Sequence, residues 1–183
     1  MEKMPWENYP HIWKTKSAFM SWLRGGIRRS LWSRSPIKLE FIKKNRKMIE
    51  NPKKGSRCKP QVWGANCCSC GKDYVLKDIE VDHKVGNHSL REISDIEQFI
   101  MGIVMVSEKD LQLVCKPCHK IKTHAEKNGI SFEEAIKEKK LIAYGKLKTD
   151  EQIKILESYG KPSTNIIVRK KSFMEIIDSL PML

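Results

Sequence analysis

A chain of 183 residues with 35 Lys and Arg against 22 Asp and Glu carries a formal net charge of +13 and has a pI of about 9.5. That balance points to a polyanionic partner. Six cysteines are too few for a disulfide scaffold, and the eight-residue apolar run Phe99 to Val106 is too short to cross a membrane.

The charge is lopsided. Residues 1–66 hold 16 Lys and Arg against 4 Asp and Glu, a net of +12, while residues 67–183 hold 19 against 18, a net of +1. In the basic part Phe19, Trp22, Leu23, Ile27 and Leu31 recur at three- and four-residue intervals, with Arg24, Arg28 and Arg29 among them. This predicts an amphipathic helix interrupted or bent near Gly25 and Gly26. Ser35 and Pro36 read as N-cap and first position of another helix, with Leu39, Ile42 and Ile49 facing inward and Lys43, Lys44, Arg46 and Lys47 outward. These cations, with Trp6, Trp13, Trp22, Trp32 and Trp63 interleaved, are the candidate nucleic-acid contacts; a solvated basic face over the core is the alternative. Residues 51–57, rich in Pro, Gly and Lys, read as a linker.

Next come two C-x-x-C knuckles, Cys67/Cys70 and Cys115/Cys118. Each knuckle bends the chain so that two thiolates face one ion, and four together suit tetrahedral zinc. Cys68 and Cys58 read as free thiols, either able to substitute if the register slips. Tyr74 to His83, with β-branched and polar residues interspersed, reads as a strand or hairpin arm that delivers Asp82 and His83 at its end. The segment from Lys84 to Lys109 is longer than a hairpin needs, and Ser94-Asp95-Ile96-Glu97 reads as a capping box opening a short inserted helix.

After the second knuckle, good helix formers run to Gly129, so His119 is expected on a first helical turn. His124 follows five residues on, about 140° round, and faces elsewhere. His11 and His88 carry no such context. Capping boxes at Ser131 to Glu134 and Thr149 to Gln152 predict helices over roughly 132–142 and 150–158, with Gly160 as a stop. Phe173, Ile176, Ile177 and Leu180 form a last amphipathic run.

Val81-Asp82-His83, followed by Asp110-Leu111-Gln112-Leu113-Val114-Cys115-Lys116-Pro117-Cys118-His119-Lys120-Ile121-Lys122-Thr123, resembles the signature of HNH (His-Asn-His) nucleases, especially phage homing endonucleases. The resemblance implies an α+β chain with a zinc-stabilised ββα-metal core flanked by short helices. It implies that Asp82 and His119 hold a catalytic Mg²⁺ or Mn²⁺ and that His83 is the general base, while Cys67, Cys70, Cys115 and Cys118 hold structural Zn²⁺. Where the family carries asparagine this chain has Asp110, which accepts but cannot donate amide hydrogen bonds. Three readings follow: a tolerated variant, a loop braced instead by Asn87, or weakened activity. Tolerance is favoured because the role is bracing.

On this reading residues 1–59 form a basic helical DNA-contact region, 60–128 the nuclease core and 129–183 a small helical region. One continuous mixed domain is equally compatible with the length. DNA is the expected partner, with no membrane; a homodimer or a phage protein partner fits the single site per chain. Reduced thiols and no leader point to an intracellular protein, in host cytoplasm if phage-encoded. The rivals are a zinc-dependent DNA-binding protein with a vestigial site, and a nuclease of a packaging or restriction assembly.

Overall fold

The computed structural model describes residues 3–86 and 89–181; Asn87 and His88 lie outside the described residues. The chain is mixed α+β and divides into two compact units, Met1–His119 and Lys120–Leu183. No helix among the described residues is long and apolar enough to cross a membrane.

In the first unit a short helix α1 (Pro5–Asn8) leads into α2 (Lys16–Ile27), which starts where Thr15 Oγ1 accepts the Ala18 amide at 3.1 Å. The expected break at Gly25 and Gly26 is absent. Met20 on α2 is buried against Phe99, Ile103 and Leu90, with Leu23 and Ile27 packed alongside, and this burial outweighs the helix cost of two glycines, about 1 kcal/mol each. The irregularity comes one turn later. Arg28–Trp32 is a π-helical stretch in which the Ser33 amide donates to Arg28 O at 3.0 Å, five residues back. The wider turn brings Trp32 against both this cluster and the one built on Val81, Leu111 and Leu113.

Helix α3 (Pro36–Asn45) begins as expected at Ser35, whose Oγ accepts the Lys38 amide, but stops before Ile49. The Asn45 side-chain amide donates to Phe41 O at 2.8 Å, Arg46 turns to extended geometry, and Lys47–Glu50 forms strand β1. The buried residue of α3 is Phe41; Leu39 is exposed. Strand β1 pairs antiparallel with β2 (Gln61–Asn66), with Met48 opposite Trp63 and Ile49 opposite Val62. Residues 51–57 therefore lie in a hairpin loop, not a linker: the Asn51 amide donates to Pro60 O and its side chain to Lys59 O.

β2 also pairs with β3 (Asp73–Val75), completing a three-stranded sheet. The expected arm from Tyr74 to His83 is split by a turn at Leu76–Asp78, so that β4 (Ile79–His83) enters a separate two-stranded sheet with β5 (Leu111–Cys115). Val81 lies opposite Leu113 and His83 opposite Leu111, facing the core; Asp82 lies opposite Gln112 on the other face. Between these strands α4 (Ile96–Val104) buries Phe99 and Ile103. Its lead-in is capped by Asp95, not Ser94: the Asp95 carboxylate accepts the Arg91 and Glu92 amides at 2.9 and 2.8 Å.

Helix α5 (Lys116–Asn128) follows β5 without a loop, and the boundary between units falls within it. In the second unit Ile121 and Ala125 pack on Ala135 of α6 (Phe132–Gly145). Tyr144 and Leu156 then join Phe173, Ile176, Ile177 and Leu180 in a core formed with α7 (Thr149–Ser158) and α8 (Ile166–Ile176). Buried Arg169 donates to Gln152 Oε1 and Ser163 O, so its charge is hydrogen-bonded. Gly160, at φ +64°, ends α7 in the left-handed turn a side chain would resist.

Candidate functional site

The two knuckles converge. The sulfurs of Cys67, Cys70, Cys115 and Cys118 all lie within 4.8 Å of one another. On a tetrahedral zinc ion at about 2.3 Å, sulfurs sit about 3.8 Å apart, so the four thiols can hold such a metal after a small contraction. The local chain is shaped for it. Gly71 takes φ +68°, its amide donating to Cys67 O, and the knuckle closes as the Cys68 amide donates to Leu113 O. The Cys115 amide points at Cys67 Sγ (3.3 Å) and the Cys118 amide at Cys115 Sγ (3.5 Å), contacts that favour thiolate. Burial opposes ionisation of Cys67, but amides of Cys115, Cys70 and Ser69 outweigh it and bring that thiol down to about 7. Cys58 and Cys68 are exposed and stand outside the cluster.

One residue beyond Cys118, His119 projects from the first turns of α5 toward the polar face of β4. There Asp82 Oδ1 lies 3.4 Å from its Nε2 and Glu80 Oε2 2.6 Å from its Nδ1. The hydrogen bond with Asp82, opposed by burial and aided by Glu80, raises the imidazole to about 9. The shorter Glu80 contact fixes the tautomer, whereas Asp82, the less exposed carboxylate, weighs more on the charge. With Nδ1–H donated to Glu80, Nε2 and Asp82 Oδ1 are two acceptors face to face, an arrangement that calls for a proton or a cation between them. Adjacent ligands on an octahedral ion at about 2.0–2.1 Å are about 3 Å apart, a little less than the 3.4 Å between these two atoms.

His83, next on the strand, turns to the opposite face. Its ring stacks on Trp32 at 4.3 Å between centroids and 34° between planes, with Nε2 shielded from solvent. It lines a cleft of about 440 Å³ with Lys84, Val106, Lys109 and Asp110. The Asp110 carboxylate caps its own turn, accepting the Ser107 amide and hydroxyl at 2.8 and 2.7 Å, and these bonds hold it below the usual carboxylate range. Its backbone oxygen accepts the Lys84 amide at 2.8 Å, directly behind His83.

The basic candidates are spread over several elements of the first unit. Arg28 crosses the Phe99 ring at 5.6 Å; burial, with Arg24 adding, lowers its pKa, while the charge of Asp82 partly opposes the shift. Arg24 donates to Ser21 Oγ, and Arg29 and Lys43 are exposed. Lys44 pairs with Glu108, Lys47 with Asp73 at 2.8 Å, and Arg46 stacks on Trp63 at 4.2 Å.

Four residues join the site without having been singled out for it: Glu80 on His119, Gln112 on Asp82, Trp32 under His83, and Tyr74, whose hydroxyl lies 3.7 Å from Cys70 Sγ. For Glu80 a signal existed, since it stands two residues before Asp82 on a strand and shares its face. No protein-family model matches the chain, nor does any curated protein or solved structure.

Proposed function

We propose that this protein is a divalent-metal-dependent DNA endonuclease of the HNH type, phage-encoded and homing-like, in which β4, β5 and α5 form the ββα-metal element. The observation that carries the reading is the meeting of Asp82 and His119, from strand and helix, at 3.4 Å, with His119 next in the chain to Cys118 of the four-thiol cluster. Asp82 and His119 would hold Mg²⁺ or Mn²⁺, which when bound supplies positive charge to a phosphate and to the departing 3′ oxygen. His83, on the opposite side of the same strand, accepts the proton of a water as its oxygen bonds to phosphorus. The bond from phosphorus to the 3′ oxygen then breaks, and that oxygen takes up a proton to leave a 3′-hydroxyl and a 5′-phosphate. The excess cations of residues 1–66, Arg28 among them, are suited to hold the duplex.

The shielding of His83 Nε2 favours a second reading, a zinc-dependent DNA-binding protein that no longer cuts. Plasmid cleavage with and without Mg²⁺ or Mn²⁺, with His83→Ala alongside, separates the two. Metal-dependent nicking that falls at least 100-fold in the variant supports the enzyme. Salt-sensitive DNA binding with equal, negligible cutting by both proteins supports the binder.

A further inference from the structure

The two candidate ligand atoms are each held from behind, by different residues. Glu80 and Asp82 share the face of β4 that receives His119, while Val81 and His83 face the core. A neutral imidazole has one N–H, and the 2.6 Å contact assigns it to Nδ1 donating to Glu80 Oε2. Nε2 is thereby left with its lone pair toward Asp82. Because the ring nitrogens diverge, a carboxylate engaged at Nδ1 cannot also reach an ion bound at Nε2. Asp82 is treated likewise. Its Oδ2 accepts from Gln112 Nε2 at 3.2 Å, which leaves Oδ1 turned to His119. The Gln112 amide is in turn fixed against flipping, because the Cys68 thiol donates to its Oε1 at 3.4 Å while the Cys68 amide anchors on Leu113 O. This gives Cys68, one of the two cysteines outside the four-thiol cluster, a place in the structure.

We propose that Glu80 and Gln112 are positioning residues for a divalent cation on His119 and Asp82, each presenting one ligand atom, with Cys68 setting the orientation of Gln112. The proposal rests on the nuclease reading for the existence of that cation. Partners of this kind typically contribute 10- to 100-fold in metal affinity by fixing tautomer and rotamer before the ion arrives.

The test is Mn²⁺ binding to the zinc-loaded full chain without DNA, followed by the electron paramagnetic resonance signal of free Mn²⁺, with circular dichroism and zinc content checked for every variant. Asp82→Asn serves as the reference and should abolish binding. Glu80→Ala is expected to weaken Mn²⁺ affinity about 10- to 100-fold. Glu80→Gln should restore most of it, since a carboxamide oxygen still accepts Nδ1–H. Gln112→Ala should lower affinity about 10-fold, toward the small end of that range. If Asp82→Asn abolishes binding while Glu80→Ala and Gln112→Ala bind like the parent, positioning is overturned and the nuclease reading stands. Glu80→Gln as damaging as Glu80→Ala would make the carboxylate a ligand and also overturn the proposal. Undiminished binding in Asp82→Asn would remove both.

Discussion

His119 faces a carboxylate on each ring edge, and that arrangement makes it a proton trap when no cation is bound. Its pKa rises from 6.5 to about 9 on folding. A group that holds its proton more tightly when folded contributes stability that is complete below pH 6.5 and fades as pH climbs through about 9. Thermal unfolding without divalent cation should therefore show a midpoint that falls across this window in the zinc-loaded parent and is flatter in His119→Gln. On the proposed nuclease reading a cation on His119 would displace the same proton, so Mn²⁺ affinity is expected to rise over the window, with proton release measurable by calorimetry in buffers of different ionisation enthalpy. Asp110 gives a second expectation. What meets the histidine-bearing strand is its backbone oxygen, while among the described residues its side chain accepts hydrogen bonds from Ser107. Asp110→Asn should leave cleavage within a few-fold of the parent, and a loss of 100-fold or more would show that the carboxylate matters at the site itself.

At the scale of elements, capping chemistry was readable where one residue dominates and misread where neighbours compete. Ser131 and Glu134 cap each other reciprocally, as the sequence predicts; Ser131→Ala should cost about 1 kcal/mol in chemical denaturation. At α7 the cap lies one residue earlier than expected: Lys148 occupies the cap, and its amide donates to Glu151. Thr149→Ala is thus expected to change stability by no more than about 0.5 kcal/mol, the scale of an ordinary surface substitution, in the same measurement. The larger misreadings share a cause. Leu39, Ile42 and Ile49 have a helical spacing, yet Met48 and Ile49 find strand partners in Trp63 and Val62, which no local pattern around residue 49 encodes. Gly25 and Gly26 look like a break because propensity is local, whereas the packing of Met20 and Leu23 on α4 is not. The knuckles stand out by spacing along the chain, and Asp82, His83 and His119 by the family resemblance of residues 81–83 and 110–123. Trp32 and Gln112 were not, because stacking and a cross-strand hydrogen bond exist only after folding.

For the whole molecule, the decisive division is between a unit whose sheets meet at four thiols and a unit that closes its own apolar core. Zinc would tie the ends of β2 and β5 to the start of α5, whereas Tyr144, Leu156, Phe173 and Leu180 pack together as an apolar cluster. Stripping zinc under reducing conditions should therefore abolish strand signal and expose residues 1–119 to protease, while much of the helical signal of residues 120–183 survives; circular dichroism and limited proteolysis read both. The adjacency of Cys118 and His119 carries this into time. If the protein is the proposed metal-dependent nuclease, a chelator would meet two ions held by different donors: the one on a carboxylate and an imidazole would leave within mixing and return with added Mg²⁺, whereas the thiolate-bound one would leave slowly and loosen the turn that carries His119. Inactivation by chelation should accordingly be biphasic, with a prompt, reversible fall and then a gradual decay that Mg²⁺ alone does not repair.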